Sequence, residues 1–267
     1  MKKFILLTLA LMSISTLADA KKILYVTHEP GKYHKYTPQK EAFIKMAKEA
    51  GWELTVSTGM HEPQIVALRD PKLTEGYDAV VYNFCFASSK DLKAVSNVIA
   101  QTREKGTPAM VIHCSMHSFW ATFKGKNGKV TIKDGLKEQW DKENPGKAFP
   151  VWGDFTGVAS TGHGPKAPIT IEKCCEHEAT QSLKKEGYTT AKVSELYNNY
   201  YVTKDVKPLL NGTQKGKKGK TAKAIVMWEV PQGKSKVIGL SLGHDMGEWS
   251  QPEFQGLVKD AVNYLAK

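Results

Sequence analysis

The sequence predicts a doubly wound α/β domain: a mostly parallel sheet flanked by helices, with a long insertion over the carboxyl end of the sheet. Three observations predict it. Short, continuously apolar runs are interleaved with segments of helical period. Those runs do not alternate apolar with polar residues, which is the pattern of strands covered on both faces in a parallel sheet. Their order and short links suit wound strand–helix units rather than a sandwich or a bundle.

The elements follow in order. The opening MKKFILLTLALMSISTLADA has Lys2 and Lys3, an apolar run from Phe4 to Met12, and Ala18-Asp19-Ala20 as a small-residue cleavage pattern. It predicts a signal peptide over 1–20, export to the periplasm or medium, and a single domain over 21–267. The apolar run is too short for a membrane span, and no later run reaches the roughly 18 apolar residues a span needs. KILYVTH is the first strand. Phe43, Ile44 and Ala47 put an apolar face on a helix over 38–50, which Gly51 ends. WELTVST and YDAVVYN follow as strands, then a helix over 91–105 closed by Gly106, then the strand PAMVIH. Residues 118–185 are rich in Gly, Pro and Lys, with one short amphipathic piece at 136–141, and predict the insertion. Strands return at VKPLL, AIVMWEV and KVIGLSLGH, with a Lys/Gly-rich loop over 211–223 and a turn over 229–236 built on Pro231 and Gly233. Phe254, Leu257, Val258, Ala261 and Leu265 mark one side of a last helix over 252–266.

The formal charge of +11 comes mostly from lysines spread along the chain. Lysine reads bases and phosphates poorly in bidentate fashion, and no nucleic-acid motif is present. The charge predicts a solvated basic surface without a nucleic-acid partner. Cys85, Cys114, Cys174 and Cys175 follow no metal-site or staple spacing, and a domain of this size needs no staple.

Ligands of wound sheets bind outside the carboxyl ends of the strands. His28, Glu29 and His34 fall after the first strand, Asn83 and Cys85 after the third, His113, Cys114 and Ser115 after the fourth, and His244 with Asp245 after KVIGLSLG. His163 lies in the glycine-rich loop TGHGP. His117 shares a face with His113 if the turn between them is helical. His61 and His177 read as surface residues. Imidazoles at strand ends suit proton shuttling near neutral pH, or one divalent transition metal held by His28, His113 and His244. Cys114 reads either as a thiol nucleophile or as a buried thiol, although SMH after it lacks the glycine of a sharp nucleophile turn.

The ending AIVMWEVPQGKSKVIGLSLGHDMGEWSQPEFQGLVKDAVNYLAK resembles the C-terminal signature of the trehalose-utilisation (ThuA-like) family. PAMVIHCSMHSFW resembles that family's strand ending in His, and THEPGKYHKY its opening loop. GHGP, EHEATQSL and SELY follow in the family's order. The EHEATQSL stretch lacks a proline after its His, and the Lys-rich loop is a further departure. The resemblance implies a class I glutamine-amidotransferase-like, flavodoxin-like fold. His113 then stands where an amidotransferase has its cysteine, His244 matches the late histidine, and Glu195 the acidic residue before Leu-Tyr. It links the chain to utilisation of trehalose and related sugars; with the leader and the strand-end residues, the expectation is an exported protein acting on a sugar or keto-sugar by isomerisation, elimination or hydrolysis. His113, His244 and Glu195 would be catalytic, and His28, His34, His163 and Trp228 would bind substrate, with Trp228 or Trp249 stacking on a sugar face. Two alternatives stand beside it: a non-catalytic carbohydrate-binding module, and a Cys114-dependent hydrolase.

Overall fold

The computed structural model describes residues 20–267 except 121, 122, 127, 128, 134, 217 and 218, with backbone only for 123–126 and 129–132. The signal peptide expected over 1–20 thus lies, but for Ala20, outside the described residues. The strands are β1 (Lys22–Val26), β2 (Glu53–Ser57), β3 (Ala79–Tyr82), β4 (Ala109–Ile112), β5 (Phe123–Lys126), β6 (Lys129–Ile132), β7 (Val158–Ala159), β8 (His163–Lys166), β9 (Thr170–Lys173), β10 (Tyr188–Thr189), β11 (Glu195–Tyr197), β12 (Tyr201–Val202), β13 (Lys207–Lys215), β14 (Thr221–Gln232) and β15 (Ser235–Leu240). The helices are α1 (Tyr36–Ala50), α2 (His61–Ala67), α3 (Leu92–Arg103), α4 (Leu136–Glu143), α5 (Trp152–Thr156), α6 (Met246–Trp249) and α7 (Pro252–Leu265). None is long and apolar enough to cross a membrane.

One sheet of nine strands runs β10-β9-β13-β14-β15-β4-β3-β1-β2. From β2 to β15 the neighbours are parallel, and from β15 to β10 they are antiparallel. The parallel half accounts for the apolar runs. Ile23 and Tyr25 of β1 pack with Phe43 and Met46 of α1 and Leu257 and Val258 of α7. Leu24 and Val26 face the other way, onto Ile65 of α2 and Val95 and Val98 of α3. Both parities of β1, β3 and β4 are buried, while β2 at the edge is partly exposed. α1 ends on Gly51 in a left-handed conformation (φ 71°), and Asp91 caps α3 by accepting from Ala94 N at 3.0 Å.

Three details differ from the sequence reading. α2 lies between β2 and β3, where no helix was expected; at seven residues, with Pro63 in its first turn, it is too short to show a period. The supposed loop 211–223 is mostly hairpin, since β13 and β14 pair from Lys207↔Glu229 to Lys215↔Thr221. Lysines on exposed positions of a long antiparallel pair read like loop composition. The insertion is not only a cover, because β9 joins the main sheet while β8 pairs with β11 outside it.

Trp228 lies directly across from Gly239 in the β14–β15 pair, and its indole covers the glycine so closely that a methyl group there would overlap the ring. Gly239→Ala is expected to cost about 1–3 kcal/mol through overpacking, read as a lowered urea midpoint with unchanged slope. An unshifted midpoint would show that the ring moves freely.

Candidate functional site

His113 ends β4 and begins a tight 3-10 turn over His113–His117. Its φ is 48°, a left-handed conformation that costs a β-carbon-bearing residue about 1–3 kcal/mol. A sharp, strained strand-to-turn position is how α/β enzymes lift a reactive side chain above the sheet. Here it lifts an imidazole. Parallel pairing of Leu240 with Ile112 sets the end of β15 beside this turn. Ser241 O lies 2.7 Å from His113 Nδ1, and His244 O lies 3.2 Å from His34 Nδ1. A carbonyl only accepts, so both Nδ1 atoms carry a proton, and Nε2 is the nitrogen each ring turns toward the site.

The ligand atoms of His34, His113 and His244 lie within 4.8 Å of one another, and all three residues are buried. Burial, then the neighbouring His113 and His244, pushes His34 down to about 3. His34 is therefore a neutral imidazole at neutral pH. Glu195 Oε2 lies 3.1 Å from His244 Nδ1 and 3.6 Å from His113 Nε2. The contact with His244 is out of line for a hydrogen bond. Burial opposes ionisation of Glu195, but His113 and His244 outweigh it and hold the carboxyl well below the usual range. Its other oxygen lies 3.5 Å from His163 Nε2 and 3.7 Å from Lys166 Nζ.

These groups open into a cavity of about 370 Å³ whose wall includes His34, His117, Glu195, Tyr197 and His244. Larger grooves of about 550 and 660 Å³ run over α2, α3 and α4, lined largely by charged and polar groups with no buried histidine cluster. The cavity at the strand ends is the one that holds the chemistry.

The structure brings together His34, His113, His163, Glu195 and His244 among the sequence candidates. It does not bring His28. Residues of one parity in β1 share a face, so His28 follows Leu24 and Val26 to the α2–α3 side. There it lies between Tyr36 (ring centroids 4.8 Å) and Phe86 (4.7 Å), with His61 edge-on at 5.7 Å. His34 takes its place in the metal set. Trp228 is also corrected: it is fully buried and its Nε1 donates to Thr156 O at 2.6 Å. Trp249 is likewise buried, bonded to Gly243 O. The aromatic residue at the cavity rim is Tyr33, 57% exposed. Cys114 is joined to Cys85 in a disulfide, and in that form it offers no thiol for a hydrolase. His177 is half-buried rather than fully exposed; it packs against Tyr264 and beside Glu229.

Tyr197 was not anticipated. Its ring stacks on His113 at 4.8 Å, its hydroxyl lies 3.2 Å from His113 Nε2, and burial keeps it protonated well above its usual range. The signal was present, since Tyr197 stands two residues from Glu195 on one face of β11. His117 meets Tyr197 edge-on at 4.3 Å, and burial pushes it down to about 4.

Fold and site together define a wound α/β protein with a buried histidine–carboxylate pocket at its strand ends. The model of the ThuA family, described as trehalose utilisation, matches residues 22–265, and the chain belongs to that family. It is similar to a ThuA-like protein from Bacteroides uniformis (18% identity, 94% of each chain, TM-score 0.65). It is also similar to one from Parabacteroides merdae (14% identity, 93% of this chain and 90% of that one, TM-score 0.63). A β-galactosidase from Bacillus circulans sp. alkalophilus shares the fold over 92% of this chain but 31% of its own (10% identity, TM-score 0.54). A search of curated proteins found no match.

Burial, with His61 adding and Glu29 opposing, pushes His28 down to about 4. The unfolded chain titrates it near 6.5. Stability from this residue is therefore whole above about pH 6.5 and declines as pH falls toward 4, because the unfolded state takes up the proton first. A His28→Phe variant is expected to lose stability less steeply than the parent over that interval in urea titrations. Equal slopes would show that His28 charges freely in the native state.

Proposed function

We propose that the chain is an exported, metal-assisted enzyme that moves a proton beside the carbonyl of a sugar or keto-sugar. The observation that carries this reading is the convergence of His34, His113 and His244. The donor set fits a transition metal: two Nε2 atoms fixed by carbonyls on the opposite nitrogens, a buried His244 Nδ1 without a hydrogen bond, and an ionised carboxylate beside it. Such ligands suit zinc, iron or nickel. A cation held there supplies a Lewis acid for a sugar oxygen. The chain's own groups do the rest. Glu195, ionised and facing the cluster, takes the proton from carbon or hydroxyl. Tyr197 stays protonated and donates a hydrogen bond to the oxygen on which charge develops. His117 and His163 line the cavity as partners for hydroxyls, and Tyr33 offers a ring face to the sugar. The cavity volume falls in the range of small-molecule sites, roughly 300–1,000 Å³. The sugar class rests on the family description, and export on the leader-like pattern of residues 1–20.

Metal analysis of untagged protein tests the centre. About one equivalent of a transition metal is expected in the parent and none in a His113→Ala, His244→Ala double variant. A metal-free parent that stays metal-free after loading would sink the reading. Keto derivatives of trehalose, incubated in deuterated water, test the chemistry. Deuterium should enter the carbon next to the carbonyl, and Glu195→Gln should lower that rate about 10²–10⁴-fold while retaining metal. Saturable sugar binding with no exchange and no product would favour the binding module instead.

A further inference from the structure

Cys85 follows β3, and Cys114 follows His113 at the end of β4; their disulfide joins the two strand ends. Both residues line the cavity that holds His34, Glu195 and His244. The fold has other means of holding these segments together. β3 and β4 are paired neighbours in the sheet. Beyond them, Phe84 N donates to Ser115 Oγ at 2.9 Å, which donates in turn to Tyr82 O at 2.8 Å. Phe86 N donates to Ser118 Oγ at 3.1 Å, and Phe119 N to Phe86 O at 3.0 Å. A domain of this length has core enough without a covalent staple. Both cysteines are otherwise buried, so a staple placed in this wall, rather than across the fold, is reached through the cavity by a small molecule that enters it. The free cysteines, Cys174 and Cys175, lie past β9 and do not line this cavity.

We propose that the Cys85–Cys114 pair is a thiol-exchange site, reduced within the folded protein by a low-molecular-weight thiol that enters the cavity. Two thiol equivalents balance the reaction. The first, as thiolate, attacks Cys114 Sγ; the disulfide breaks, a mixed disulfide forms, and Cys85 leaves as thiolate. The second attacks the small thiol's sulfur, releasing the small disulfide and freeing Cys114. Two electrons pass from the small thiols to the pair, and their two protons end on Cys85 and Cys114. Because Cys114 is bonded directly to His113, which holds a left-handed backbone conformation, exchange acts on the residue at the centre of the histidine cluster.

The pocket is that of the proposed function, so the test separates the two ideas. The full chain, oxidised and with Cys174 and Cys175 alkylated beforehand, is incubated with reduced glutathione. It is quenched with an isotopically distinct alkylating agent and mapped by peptide mass spectrometry, and its unfolding rate is measured in the same buffer. Cys85 and Cys114 should take the second label about tenfold or more faster than the protein unfolds, and Co²⁺ loaded beforehand should slow that labelling. Labelling no faster than unfolding overturns the exchange site, whatever Co²⁺ does. Fast labelling that ignores Co²⁺ supports exchange and counts against a metal in the same cavity.

Discussion

The site depends on the backbone of four residues, Ser241 to His244. Ser241 O fixes the ring of His113, and His244 O fixes the ring of His34. The same segment carries the third imidazole. It is itself held on both sides: Glu248 accepts from Gly243 N at 3.1 Å and His244 N at 2.6 Å, while Gln39 Nε2 donates to the carbonyls of Gly243 and His244. Groups that orient metal-binding or proton-shuttling histidines commonly matter nearly as much as the rings themselves. Here one short stretch orients two rings and supplies another. That is possible only because β15, late in the chain, is the parallel neighbour of β4.

The second wall comes from outside the main sheet. β11 pairs with β8, which places Glu195, Tyr197 and His163 together. Despite a register shift along β11, Leu196 packs in the core with Val226 and Ile169, while Glu195 and Tyr197 face the histidines. Electrostatics follows from this arrangement. A carboxylate brought alone to a buried position would tend to protonate. Glu195 stays ionised because His113 and His244 flank one oxygen; His163 and Lys166 stand near the other. Asn83 links the layers beneath, donating to Tyr25 Oη at 2.8 Å and to Gln39 Oε1 at 2.9 Å. A strand-end asparagine read as a possible site residue thus supports the group that holds His244.

Much of the fold was legible because both faces of β1, β3 and β4 are buried, and a short, continuously apolar run is the mark of a strand covered on both sides. His113 and His244 were legible for the same reason: a strand that can be read has an end that can be read. His28 and His34 were harder to tell apart. Which of them enters the pocket depends on which face of the sheet the chain leaves from, and residues 27–35 carry no period to show it. Trp228 misled because its place opposite Gly239 is a cross-strand relation between residues that a single sequence does not pair. The Cys85–Cys114 bond was hidden likewise. The cysteines are 29 residues apart in no recognised spacing, and only the adjacency of β3 and β4 brings their Cα atoms to 5.2 Å.

The strained turn accounts for the form the site takes. Glycine or asparagine would hold a φ of 48° with less cost than histidine. The conformation persists because the surroundings over-determine it: the ring is tied to Ser241, stacked on Tyr197 and followed by a bonded cysteine. An imidazole so held has one nitrogen committed to a carbonyl. It cannot turn to present that nitrogen, and its remaining nitrogen faces Tyr197 and Glu195. That geometry suits a ligand or a proton carrier and does not suit a covalent nucleophile, which needs an activating base and a free path to an acyl carbon. With Cys114 joined to Cys85, the turn that presents a nucleophile in other α/β proteins here presents an imidazole nitrogen.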